Sequence, residues 1–80
     1  MKILLRFETN RTRVLAIDSE TSQLGEEIYI IETVDLKTNK INIRFGNYVQ
    51  MVSIIKTYKF SVDRKYQQQY DAFLRYPKLG

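Results

Sequence analysis

Over the first half of the chain apolar and polar residues alternate with a period of two, and toward the end the apolar spacing becomes helical. Lys2–Glu8 predicts a first strand in which Ile3, Leu5 and Phe7 share one parity and face a core. Thr9-Asn10-Arg11 predicts a turn, because Asn tolerates left-handed backbone. Thr12–Ile17 predicts a second strand, antiparallel to the first. Asp18–Glu27 is polar and acidic and reads as a loop, with at most one helical turn capped by Ser19 or Thr21. Ile28–Val34 predicts a third strand, and Asp35–Lys40 a hairpin loop with Asn39 as its left-handed residue.

The run Lys40–Phe60 organises the rest. Gly46-Asn47 between two β-rich runs suits a type II′ turn, which would pair Phe45 with Tyr48, Ile43 with Gln50 and Ile41 with Val52. Five of those six residues are apolar or aromatic, so that face is expected to be core. A strand from Tyr48 to Phe60 exceeds the usual ~5–6 residues, so a bulge or bend is expected near Ser53. A helix over Tyr48–Tyr58 is the competing reading; the β-branched Val49, Val52, Ile54, Ile55 and Thr57 weigh against it. Ser61–Tyr76 predicts a helix with Ser61 as N-cap and Val62, Tyr66, Tyr70, Phe73 and Leu74 as its apolar stripe, ended by Pro77. The expected fold is α+β: an antiparallel five-stranded meander sheet or small barrel with one C-terminal helix.

Eighty residues make one domain, residues 1–80, with a small core and modest stability. Cysteine, histidine and tryptophan are missing from the sequence. That removes disulfides, thiolate metal sites and the usual nucleophile–base pairs. Glycine at 25, 46 and 80 cannot form a phosphate-cradling loop. Paired carboxylates, Glu26 with Glu27 or Glu32 with Asp35, are the remaining route to acid–base chemistry, and no spacing singles them out. A non-enzymatic protein without cofactor or metal is expected. The acidic loop lacks the alternating spacing of a calcium loop. No apolar run reaches the ~18–20 residues of a membrane span, so a soluble, cytoplasmic protein is expected.

Charge changes the picture. Residues 1–35 carry four basic and seven acidic side chains, and residues 36–80 carry nine and two. This polarity points to a polyanionic partner, unless the two halves lie together and neutralise each other. Basic residues interleave with aromatic ones from Arg44 to Tyr66. Cations that neutralise phosphates beside rings that stack on bases are the chemistry of nucleic-acid grip. The candidate DNA- or RNA-binding set is Arg44, Lys56, Lys59, Arg64 and Lys65, with Tyr48 or Tyr58 stacking. The alternative is a small protein-binding inhibitor or adaptor, of the type found in phages and mobile elements, docking onto a larger enzyme. Homodimerisation through an open edge strand is compatible with both.

Two resemblances follow from the residues. Ile41-Asn-Ile-Arg-Phe-Gly-Asn-Tyr-Val49 with Ile54-Ile55 is similar to a short stretch of the Rem-type extracellular-matrix regulators, which implies DNA binding. The likeness ends with that stretch, and Ser53 stands where the family would place a basic residue. The opening hairpin and the Ser/Thr-rich loop look like the start of a ubiquitin-like β-grasp. That fold needs residues 21–31 to be helical, whereas Ile28-Tyr29-Ile30-Ile31 reads as strand.

Overall fold

The computed structural model describes residues 2–21 and 27–75. Four strands, β1 (Lys2–Glu8), β2 (Thr12–Thr21), β3 (Glu27–Asp35) and β4 (Ile41–Gly46), form one antiparallel sheet in chain order. Two helices follow, α1 (Tyr48–Lys56) and α2 (Gln67–Arg75), with a 3₁₀ turn at Arg64–Tyr66 between them. The α+β class and the meander are as expected. The fifth strand and the barrel are not: among the described residues there are four strands in an open sheet, and Tyr48–Lys56 is helix.

The cause lies at Gly46-Asn47. Gly46 does not turn the chain back; it ends β4, paired with Tyr29. Asn47 is the N-cap of α1. Its side chain accepts from the Gln50 N–H (2.8 Å), and Gln50 Oε1 accepts from the Asn47 N–H (2.9 Å). This reciprocal capping box satisfies two amides that a helix start leaves orphaned, and it outweighs the β-branched residues beyond it. A Cβ on Gly46 would stand 2.6 Å from Gln50 Oε1, so a side chain here would press on the residue that closes the capping box; a positive φ is not what favours glycine. Met51 and Ile55, one helical turn apart, are both buried.

The other differences are local. Asp18–Thr21 extends β2, so Ser19 and Thr21 lie in a strand instead of at a helix start; residues 22–26 of the expected loop lie outside the described residues. With β3 beginning at Glu27, residues 27–31 of the stretch that a β-grasp needs as helix are strand. Asn39 is left-handed as expected (φ 61°), but Asn10 is not. The 9–12 turn is tied instead by the buried Thr9, whose Oγ1 accepts from the N–H groups of Arg11 (3.1 Å) and Thr12 (2.9 Å). The C-terminal helix begins later than Ser61: Asp63 caps the 3₁₀ turn, accepting from Lys65 N–H at 3.2 Å. The expected helix end at Tyr76 lies outside the described residues.

Both helices pack on one face of the sheet. The core there is Leu5 and Phe7 from β1, Val14 and Ala16 from β2, Tyr29 and Ile31 from β3, Met51 and Ile55 from α1, and Tyr70 from α2. Phe7 meets Tyr70 and Tyr58 edge-on, with centroids 5.1 and 5.5 Å away. The Tyr70 hydroxyl donates to the Ile55 carbonyl at 2.7 Å, which lets a tyrosine be fully buried; burial also raises its pKa above the usual phenol value.

Ile3 does not join this core. A bulge between Ile3 and Leu5 moves Ile3 to the opposite face. The strand register builds three rows on that opposite face: Ile3–Ile17–Ile30–Phe45, Arg6–Leu15–Glu32–Ile43 and Glu8–Arg13–Val34–Ile41. Both helices lie on the other side, and exposure there is high: Ile3 63 %, Ile41 63 %, Ile43 52 % and Phe45 70 %. The expected core face of β4 is therefore the uncovered face, while its helix-side residues are Asn42, Arg44 and Gly46.

Candidate nucleic-acid interface

Four of the five candidate cations sit on one connection. Lys56 is the last residue of α1, where a cation suits the negative end of the helix dipole. From there the backbone folds through overlapping turns. The N–H groups of Thr57, Tyr58 and Lys59 donate to the carbonyls of Ile54, Ile55 and Lys56, and that of Ser61 donates to Tyr58. The segment is then pinned to the end of β1, where Val62 bridges to Thr9 and the Asp63 N–H donates to the Glu8 carbonyl at 2.7 Å. Arg64 and Lys65 follow in the 3₁₀ turn. Arg44 reaches the same region from β4, since it lines one hollow with Ile31, Thr33, Ile54, Thr57 and Tyr58.

All five cations are exposed, and none is in an ion pair among the described residues. The ion pairs of the described residues, Arg11–Asp35 (3.3 Å) and Arg13–Glu8 (3.5 Å), both lie within the first half of the chain. The nearby acids are engaged locally. Glu8 also accepts from the Tyr66 hydroxyl (3.2 Å), Asp63 caps the 3₁₀ turn, and Asp71 accepts from Gln67 (3.1 Å). Asp35 accepts from the N–H groups of Lys37 and Thr38; these bonds, with Arg11, hold its carboxyl below the usual value.

The two candidate tyrosines sit differently. Tyr58 is half-buried with its ring against Phe7. Tyr48 lies at the opposite end of α1, about 12 Å along the axis from Lys56 at 1.5 Å per residue, with its ring against Tyr29. The ring that stands out is Phe60, 95 % exposed, with Lys59 Nζ 5.5 Å from its centroid. The expected strand from Tyr48 would have ended at Phe60; with α1 ending at Lys56, Phe60 falls in the turns that follow instead. Among the described residues no group of three or more Asp, Glu, His or Cys could hold a metal ion, and no helix is long and apolar enough to cross a membrane.

No family model matches this chain, and comparison with curated proteins and with solved structures finds no match.

Proposed function

We propose that the protein is a small non-catalytic nucleic-acid-binding module acting through Arg44, Lys56, Lys59, Arg64 and Lys65. The observation that carries this reading is the grouping of these five cations on and beside one pinned connection without carboxylate partners among the described residues. Phe60, exposed beside Lys59, takes the stacking role first expected of Tyr48 or Tyr58. Base–aromatic stacking contributes ~1–3 kcal/mol per base and tolerates any sequence. Phosphate contacts position a strand without reading bases, so weak sequence preference and micromolar affinity follow. DNA and RNA are both candidates. A gel shift at about 50 mM salt tests this with single- and double-stranded DNA and RNA. A retarded band with at least one of them is expected; no retardation with any of them ends the proposal.

The second reading, a protein-binding inhibitor or adaptor docked on a larger enzyme, is favoured by a different observation, the uncovered apolar sheet face. Co-purification from cells after nuclease treatment separates the two. A stable protein partner lost on substituting Phe45 supports docking. Recovery of nucleic acid alone, abolished by nuclease, supports the first reading.

A further inference from the structure

We propose that the ligand is single-stranded nucleic acid, and that one unpaired base enters the hollow between the sheet and α1. This rests on the nucleic-acid reading above and names the form of the partner. Two features carry it, and each needs a base that is free of its own stack.

The first is the hollow that Arg44 lines. Its floor is Ile31 and Thr33 of β3 with Arg44 of β4, all on the helix side of the sheet. Its wall is Ile54 of α1, with Thr57 and Tyr58 just beyond the helix end. The volume is about 220 Å³, below the ~300–1,000 Å³ of pockets that hold drug-sized ligands, so the occupant is one small ring system. Ile31, Ile54 and Tyr58 offer it apolar contact. The Thr33 hydroxyl and the Arg44 guanidinium have no side-chain partner among the described residues. Thr57 Oγ1 donates to the Ile54 carbonyl at 2.6 Å and keeps its lone pairs for an amino group. Lys56 and Lys59 flank Thr57-Tyr58 in the chain, so cations border this wall. A ligand that joins a flat ring to a nearby anion matches both the apolar hollow and the guanidinium, and a nucleotide is that ligand. Few polar groups line the hollow, so base identity is read weakly.

The second feature is Phe60, three residues past Thr57 on the same connection. Its ring is 95 % exposed and packs on no core residue, which leaves a face open for stacking. Inside a duplex the bases show only their edges in the grooves, and neighbours cover their faces. Neither the hollow nor Phe60 can then engage them, and only the phosphates remain for the cations.

Fluorescence anisotropy at about 50 mM salt tests this with a labelled strand of about 12 nucleotides, alone and annealed to its complement. The single strand should bind at least about tenfold tighter than the duplex, the effect of stacking one base. Thr33→Phe, which fills the hollow with a residue that strands accept, should bring the two affinities together at an unchanged far-UV circular dichroism spectrum. Titration of the wild-type chain followed by amide NMR gives a reading that does not depend on that variant folding. The single strand should shift the resonances of Thr33, Arg44 and Thr57, and the duplex should leave Thr33 in place. Equal or tighter binding of the duplex overturns this inference and leaves the nucleic-acid reading standing. So does a folded Thr33→Phe that keeps the single-strand preference, or a titration that leaves Thr33 and Thr57 unmoved. Binding of neither form ends both.

Discussion

At Asn47 two hydrogen bonds decide what the following nine residues become. The Asn47 carboxamide and Gln50 close the start of α1 on each other. Asn47→Ala should therefore cost about 1 kcal/mol of stability, read as a shift in urea midpoint at unchanged slope. No change would mean that the capping box does not hold the helix. Asp35 supplies a pH prediction. Its carboxyl is held below its usual value, chiefly by the Lys37 and Thr38 amides. The stabilisation is complete above the unfolded pKa of 3.8 and fades as pH falls through the lower folded value. Asp35→Asn should flatten the loss of stability in that acid window and leave the neutral region nearly parallel to wild type. At this scale the sequence was partly legible. Asn39 announced its left-handed turn, whereas Asn10 misled because the Thr9 hydroxyl offered its turn a better tie.

Among the elements, all four strands were readable from alternation, which repeats every two residues, although β2 runs on to Thr21 and the apolar side of β4 is the uncovered one. α1 was not. Tyr48–Lys56 has the β-branched content of a strand, yet Met51 and Ile55 also fit a helical face, and only the Asn47–Gln50 spacing separates the readings. The two conformations make opposed predictions. In a strand Val49 and Met51 share a face; in the helix Met51 is buried and Val49 is 75 % exposed. Met51→Ala should cost about 2–5 kcal/mol, and Val49→Ala should stay within about 0.5 kcal/mol. Similar costs for both would contradict the helix. The bulge that turns Ile3 out of the core was equally invisible, since one extra residue in a strand leaves no mark on composition.

For the whole molecule, the expected five strands or barrel failed for a traceable reason. With Tyr48–Lys56 folded into a helix, Ile41, Ile43 and Phe45 lose the strand expected to pair beside them and share their face. Charge asymmetry survives folding. The described ion pairs lie within the first half of the chain, so the basic second half is not neutralised by them. The nucleic-acid proposal depends on that separation. Phe60→Ala should weaken binding by about 1–3 kcal/mol with little effect on stability, because the ring is almost fully exposed. The most direct test is the salt dependence of binding, measured by fluorescence anisotropy on a labelled oligonucleotide. Five phosphate contacts predict a log K against log salt slope of about −3.5 to −4.5, shallower by about 0.7–0.9 for each of Lys56, Lys59, Arg64 and Lys65 changed to Ala. A slope near zero, or one unmoved by those substitutions, would contradict the account.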